Sequence, residues 1–206
     1  MTSSTLKADG KTVLDFWFGD GIELGWPSDS RKDLWWGGGP ELDQNIKTRF
    51  GDWVQQAVAG GLKDWEAGPL NRLALVILLD QFTRNVYRRS AQAFAGDSRS
   101  QALVSDALAK GMDRQLPWVG RVFFYMPLMH AEHLALQDEC VRRFTQLHAD
   151  APEALKADLV GNIEFSKSHR DIVAQFGRFP YRNAVLGRTS TAPERDFLAL
   201  GPRFGQ

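Results

Sequence analysis

The sequence predicts an all-α protein, and three observations support this prediction. Apolar residues recur at spacings of three and four along most of the chain, as they do on one face of a helix. Stretches in which apolar and polar residues alternate between turn residues, the pattern of half-buried strands, are missing. No Gly/Ser-rich or Pro-rich linker interrupts the 206 residues. The prediction is therefore a single all-helical domain spanning residues 1–206.

The first quarter of the chain carries three helix-start patterns. Residues 12–15, Thr-x-x-Asp, resemble a capping box before a short aromatic helix over 13–18, and residues 30–33, Ser-x-x-Asp, repeat the pattern. Pro40 suits the first position of a helix. The apolar residues that follow it predict a long amphipathic helix that ends at Gly60-Gly61.

The middle of the chain contains the most apolar helix. Gly68-Pro69 predicts its start, and the residues up to Leu79 are apolar nearly all round, so we expect this helix in the centre of the fold. Asp97 is predicted to cap the next helix, which ends before Gly111.

Three further helices are predicted in the second half. One begins at Pro127 and carries His130 on its inward face. Residues 150–153, Asp-x-x-Glu, are predicted to cap the last long helix, which Gly177 ends. Residues 191–194, Thr-x-x-Glu, then open a short terminal helix.

The composition argues against several classes of partner. Lys+Arg and Asp+Glu are both 25, so no net charge attracts the chain to nucleic acid. The longest apolar run, Leu73–Leu79, is far shorter than the roughly 20 residues of a membrane span, and Met1–Gly10 lacks the apolar stretch of a signal peptide. Cys140 is the only cysteine, which fits a reducing compartment. We therefore expect a cytoplasmic protein that binds neither nucleic acid nor membranes; its oligomeric state is left open.

A polar cluster follows directly on the apolar helix. Asp80 ends a run of buried-type residues, and a buried carboxylate needs an ionic partner or several donors. Arg84, one turn further on, is the nearest candidate for a two-hydrogen-bond grip on Asp80. Two interpretations follow: an internal clasp at the helix end, or a cleft into which Gln81, Arg84 and Asn85 project donors.

An arginine-rich loop forms the second polar feature. Arg178, Arg182 and Arg188 lie in a segment rich in glycine and aromatic residues, next to Asn183. Guanidinium groups bind carboxylates or phosphates with two hydrogen bonds, so this loop is a candidate site for an anionic ligand. The alternative is that these arginines pair with internal carboxylates such as Glu132 and Asp80.

His130 and His169 both lie on inward-facing helix stripes. Each is either a core residue with satisfied hydrogen bonds or a general base. The pair His130-x-x-His133 lacks a third ligand at a fitting spacing, so no metal site is predicted. Gly-rich nucleotide-binding motifs and a Gly-x-Ser-x-Gly nucleophile motif are missing from the sequence, and no cofactor is predicted.

Several longer motifs carry a family resemblance. They are residues 78–85 (LLDQFTRN), 125–132 (YMPLMHAE), 177–183 (GRFPYRN) and 186–188 (LGR). With these motifs the chain resembles the bacterial family known as domain of unknown function 924, from residue 13 to residue 201. The resemblance implies a tetratricopeptide-like fold, in which antiparallel helices stack in a right-handed array. It implies no activity, because none is established for the family.

Three positions depart from the family pattern. The family often has Pro where this chain has Thr83, Ser where it has Ala131, and His where it has Tyr181. Because a tyrosine with an unperturbed pKa near 10 is a poor general base at neutral pH, a catalytic scheme based on position 181 is not expected here.

Two hypotheses of function follow. The first is a binding module whose concave face holds an anionic small molecule or an acidic peptide end. Its lining residues are Gln81, Arg84, Asn85, Arg178, Arg182 and Arg188. The alternative is a metal-independent enzyme that uses His130 or His169 as general base and arginines to stabilise an anionic transition state.

Overall fold

Residues 8–201 are described by the structure, a computed structural model, and they form ten α-helices. These are α1 Ala8–Phe18, α2 Gly21–Leu24, α3 Pro40–Val58, α4 Pro69–Val76, α5 Thr83–Val86, α6 Asp97–Ala109, α7 Trp118–Met129, α8 Leu134–Asp150, α9 Glu153–Phe176 and α10 Ala192–Leu200. Two π-helical segments, Asp33–Gly37 and Ile77–Phe82, and four 3-10 turns, Lys63–Glu66, Ala91–Phe94, Met112–Gln115 and Pro180–Arg182, complete the regular structure. This part of the chain contains no strand, which confirms the all-α prediction.

Helix α4 lies at the centre of the fold, as its apolar composition predicts. It begins at Pro69 as expected, and every residue from 71 to 83 is buried. Aromatic side chains from α1 and α3 pack on its continuation, where the Phe82 ring lies 5.9 Å from Phe16 and 4.9 Å from Phe50. One hydrophobic core therefore joins the first helices to α4.

The π-helical segment Ile77–Phe82 connects α4 to α5 without a break. A π-turn contains one residue more than an α-turn, so it rotates the side chains that follow and often occurs at functional sites. Asp80 and Gln81 both lie in this segment. The backbone therefore departs from α-helical geometry at the polar end of the apolar helix.

The prediction of a helix that begins at Pro127 is wrong. Pro127 lies inside α7, whose residues 122–129 are all buried. A proline removes one backbone hydrogen bond from a helix, and the burial of α7 outweighs that loss. His130 consequently caps the C-terminal end of α7, and α8 begins only at Leu134.

The capping-box predictions have different outcomes. Residues 12–15 lie inside α1, residues 30–33 precede a short π-turn, and α9 is preceded by Pro152 rather than capped from Asp150, so these three boxes are wrong. The box at 191–194 is confirmed, with Glu194 Oε2 accepting a hydrogen bond from the Thr191 N–H at 2.7 Å. The starts and ends that depend on proline or glycine hold better: Pro40 begins α3, and Gly177 ends α9 with a φ of 69°.

Helices α8 and α9 form a helical hairpin. Only residues 151 and 152 separate them, and Arg170 near the end of α9 pairs with Asp138 near the start of α8 at 2.9 Å. Cys140 of α8 is fully buried. Within residues 8–201 we find no helix of the length and apolar character that a membrane crossing requires.

Candidate functional site

The candidate site is centred on a hydrogen bond between Asp80 and His130. Nδ1 of His130 lies 2.8 Å from Oδ1 of Asp80, whose side chain is fully buried. A carboxylate can only accept a hydrogen bond here, so we assign the imidazole proton to Nδ1. Nε2 of His130 then carries the lone pair and is the basic atom of the ring.

Asp80 receives further donors from its own helix. Nε2 of Gln81 donates to Oδ2 at 2.6 Å, and Nη1 of Arg84 lies 3.5 Å from Oδ1. Burial by itself would raise the pKa of Asp80, but the positive charge that His130 carries when protonated, the charge of Arg84 and these hydrogen bonds lower it to about 2. Asp80 is therefore ionised at neutral pH.

The expected two-hydrogen-bond grip of Arg84 on the Asp80 carboxylate is not observed. Arg84 instead donates from Nη1 to the backbone carbonyl of Asp80 at 2.5 Å and directs Nη2 elsewhere. The hydrogen bonds to the carboxylate come from His130 and Gln81. Arg84 and Asp80 therefore form the ion pair of the clasp interpretation, but without the two hydrogen bonds to the carboxylate. His130 is the ionisable side chain that lies closest to Asp80.

His130 is neutral at physiological pH. Burial lowers its pKa below the usual value of 6.5, the positive charge of Arg84 acts in the same direction, and Asp80 only partly opposes them. The His130 side chain is nevertheless 18 % exposed, because it lies at the end of α7 rather than within it. A neutral imidazole with access to solvent can accept a proton.

Asp97 joins two arginines at the edge of the site. Its Oδ1 lies 3.1 Å from Nη2 of Arg84, and its Oδ2 accepts a hydrogen bond from Nη1 of Arg182 at 3.2 Å. We predicted Asp97 as a helix cap, but it is the first residue of α6 and makes no capping hydrogen bond through its side chain. Sequence reasoning missed this role, because an aspartate at a helix start is the ordinary capping signal.

Arg182 lies between two aromatic rings. Its guanidinium carbon is 4.5 Å from the centroid of Phe94 and 4.6 Å from that of Phe179. Burial lowers the pKa of Arg182, and the carboxylate of Asp97 only partly offsets that effect. The guanidinium stays charged, but its burial is poorly compensated.

His169 of α9 lies beside His130, and the two ring centroids are 6.4 Å apart. Its Nδ1 lies 2.8 Å from the carbonyl of Phe165, so this nitrogen carries the proton. Burial, followed by the nearby His130, lowers the pKa of His169 to about 3. His169 is therefore a neutral neighbour of His130, and only 5 % of it is exposed.

Tyr181 belongs to the same region. Its ring stacks on Phe179 at 5.3 Å, and burial raises the pKa of its hydroxyl despite the opposing charges of Arg182 and Arg84. The hydroxyl therefore stays protonated at neutral pH. This agrees with the expectation that position 181 supplies no general base in this chain.

Glu132 and Arg188 form a separate ion pair that holds the arginine-rich loop. Nη1 and Nη2 of Arg188 lie 2.6 and 2.9 Å from the two carboxylate oxygens, and the Phe179 N–H donates to Oε1 at 2.8 Å. The pair fixes the loop to the end of α7. It thereby helps to position Tyr181 and Arg182.

The remaining predicted site residues are bound elsewhere. Arg178 pairs with Glu194 at 2.6 and 2.9 Å, beside a depression of about 420 Å³ lined by Phe176, Arg178 and Glu194 among others. Asn85 donates to Asp43 of α3 at 2.8 Å. Asn183 is buried and donates to Ser190 at 3.1 Å.

The predicted site residues therefore fall into two groups. The structure brings together Asp80, Gln81, Arg84, His130, His169 and Arg182. It does not bring the six residues of the predicted concave face into one cleft, because Asn85, Arg178 and Arg188 each bind an internal carboxylate. Among residues 8–201 no three His, Cys, Asp or Glu side chains are placed to hold a metal ion.

Comparisons with known proteins place the chain in a family without an assigned activity. A structure of a protein of unknown function, ATU0120 from Agrobacterium tumefaciens, is similar to it with a TM-score of 0.78 and 32% sequence identity, covering 94% of this chain and 98% of that one. No curated protein matches the chain. The family described as "bacterial protein of unknown function (DUF924)" matches residues 13–201. The chain therefore belongs to this family.

Proposed function

We propose that the chain is a metal-independent enzyme in which His130 acts as general base on a small polar substrate. One observation carries the proposal: a buried, ionised Asp80 orients the ring of a neutral, partly exposed His130 through Nδ1. A carboxylate behind an imidazole fixes its tautomer and stabilises the imidazolium that forms when Nε2 takes a proton.

The surrounding groups support acid–base chemistry. Asp80 is held in the π-helical segment, a departure from α-helical geometry of the kind frequent at functional sites. In the proposed reaction Nε2 of His130 accepts a proton from a substrate hydroxyl or a water, and the guanidinium groups of Arg84 and Arg182 stabilise the negative charge that develops. Negative charge on Asp80 and Asp97 balances those two arginines while His130 is neutral.

A second candidate function is binding without turnover, as in the concave-face hypothesis but with a smaller site. The buried and unpartnered Nε of Arg182 favours it, because a buried guanidinium with few acceptors is stabilised by an added anion. In a site of this smaller size the ligand would contact Gln81, Arg84 and Arg182, while Arg178 and Arg188 keep their internal partners. An anionic small molecule fits the site better than an acidic peptide, since the contributing side chains are mostly buried.

The proposal also covers the arrangement of the helices and the location of the protein in the cell. The hairpin of α8 and α9 supports a tetratricopeptide-like stacking of helix pairs. The single buried cysteine and the balanced charge are consistent with a cytoplasmic protein that binds neither nucleic acid nor membranes.

The test combines ligand discovery with matched histidine variants. Thermal-shift screening against a panel of small hydroxy-acids, phosphates and amino acids identifies ligands, and proton NMR then follows each ligand for conversion. We expect His130→Gln to lower the rate of conversion at least 100-fold and the exposed control His133→Gln to leave it unchanged. Conversion at equal rates by both variants would contradict the proposal. A ligand that stabilises the protein and is never converted would favour the binding function.

A further inference from the structure

We infer that Arg84 and Arg182 form a subsite for the carboxylate or phosphate group of the ligand, and that Asp97 occupies this subsite when no ligand is bound. This subsite gives the proposed function a substrate class, namely molecules with a carboxylate or phosphate group. Only the statement that the bound molecule reacts rests on the proposed function.

Arg182 is a buried arginine whose donors are only partly used. A guanidinium has five N–H donors. The Arg182 guanidinium makes one hydrogen bond to another described residue, from Nη1 to Asp97 at 3.2 Å, and its Nε is buried without a partner. Its side chain is only 6% exposed, and the rings of Phe94 and Phe179 cover it. Buried donors of this kind are normally satisfied, so the group is prepared for a further acceptor.

Asp97 is shared between Arg84 and Arg182. Its Oδ2 accepts hydrogen bonds from Nη2 of Arg84 at 3.3 Å and from Nη1 of Arg182 at 3.2 Å, whereas its Oδ1 makes no well-aligned hydrogen bond although Arg84 Nη2 is 3.1 Å away. Both arginines also face Phe94, at 4.5 Å for Arg182 and 5.7 Å for Arg84. The two guanidinium groups therefore converge on the position of the Asp97 carboxylate, and this carboxylate satisfies their donors only in part.

Guanidinium groups are suited to bind carboxylates and phosphates. Planar guanidinium groups bind the paired oxygens of carboxylates and phosphates with two hydrogen bonds, and aromatic rings on either side hold the guanidinium plane in place. Arg84 also contacts Asp80, the partner of His130. An anion held by these arginines therefore lies in the same side-chain cluster as the proposed general base.

Asp97→Asn provides the sharpest test, because it removes the negative charge that competes with the ligand while it retains the shape of the side chain. Inorganic phosphate and acetate are titrated separately at constant ionic strength, and the Arg182 Nε–H signal is followed by NMR. We expect Asp97→Asn to bind at least one of the two anions about tenfold more tightly than the parent protein, and Arg182→Gln to bind neither. Which anion binds distinguishes a phosphate subsite from a carboxylate subsite.

Two controls complete the experiment. Arg170→Gln removes an arginine that pairs with Asp138 on the surface, and it should bind like the parent protein. Arg182→Lys, which keeps the charge and loses the planar donors, replaces Arg182→Gln if the latter does not fold, and it should bind at least tenfold more weakly than the parent. Equal affinities in the parent protein, Asp97→Asn and the Arg182 variant would overturn the inference.

His130→Gln separates the two proposals, because the subsite does not require the imidazole. A His130→Gln protein that binds the anion as the parent does supports the subsite whether or not His130 is catalytic. Loss of anion binding in this variant would contradict a subsite formed by the arginines.

Discussion

Asp80 has no exposed surface, yet it remains ionised because three neighbouring side chains compensate its charge. His130 and Gln81 donate hydrogen bonds to it, and Arg84 adds a positive charge at 3.5 Å. An isolated buried carboxylate would cost several kcal/mol in free energy of unfolding, so these partners are required for the fold as well as for any chemistry. The same contacts set the tautomer and the pKa of His130.

Arg84→Met is expected to raise the pKa of His130, because the charge of Arg84 helps to keep that pKa low. It should also lower the free energy of unfolding by about 2–4 kcal/mol, since Asp80 and Asp97 each lose an ionic partner. NMR titration of the histidine ring and chemical denaturation measure the two effects. Arg142→Met, at an exposed pair with Glu139, serves as control and should change stability by less than about 1 kcal/mol. An unchanged His130 pKa in Arg84→Met would exclude the proposed coupling.

At this scale the sequence predicted some partners and not others. The need of Asp80 for a partner was predictable from its position after an apolar run. The identity of that partner was not, because His130 lies 50 residues further along the chain and on another helix. Asp97 was assigned to capping, since only the tertiary structure brings Arg182 to it across 85 residues.

At the scale of elements, the π-helical segment and the start of α6 fit together through Gly96. A Cβ on Gly96 would lie 2.1 Å from the backbone carbonyl of Leu79, which is far inside van der Waals contact. The φ of Gly96 is −86°, so close approach rather than backbone conformation requires glycine here. This contact places Asp97 beside the π-helical segment that carries Asp80.

Gly96→Ala is therefore expected to lower the free energy of unfolding by about 1–3 kcal/mol, as overpacking does, and to displace Asp97 from the arginines. Gly161→Ala in α9 is the matched control, because no atom lies within 4 Å of its added Cβ. It should stabilise the protein by about 0.5–1 kcal/mol through its higher helix propensity. Urea denaturation of both variants decides, and equal stabilities would contradict the close contact.

The accuracy of the element predictions follows from the physics of each signal. Proline at a helix start and glycine at a helix end act through their own backbone conformations, so Pro40, Pro69 and Gly177 were reliable. Three of the capping patterns failed because Ser, Thr and Asp occur at many positions for other reasons. Pro127 was misleading because tertiary burial tolerates a proline inside α7.

At the scale of the whole molecule, buried groups with lowered pKa values make stability depend on pH. The pKa of His169 is about 3 in the folded protein and near 6.5 when the chain is unfolded. Below pH 6.5 the unfolded state therefore binds more protons, and the free energy of unfolding falls as the pH decreases. Asp80, with a folded pKa of about 2 and an unfolded value of 3.8, extends this loss below pH 4.

We expect the free energy of unfolding to decrease by at least about 1 kcal/mol per pH unit between pH 6 and pH 4. His169→Gln should reduce this dependence, because it removes the buried imidazole whose pKa the fold lowers to about 3. Urea denaturation at a series of pH values provides the measurement. A slope that is the same in the parent protein and in His169→Gln would show that His169 is not held neutral by the fold.

Asp80 holds His130 as a neutral imidazole with the proton on Nδ1 and the lone pair on Nε2. Long-range proton–nitrogen NMR of the histidine rings between pH 4 and pH 8 tests this assignment most directly, because the nitrogen shifts report tautomer and pKa together. We expect an Nδ1–H tautomer for His130 at pH 7 and a titration midpoint below 6.5. A proton on Nε2 at pH 7, or a midpoint above 6.5, would contradict it.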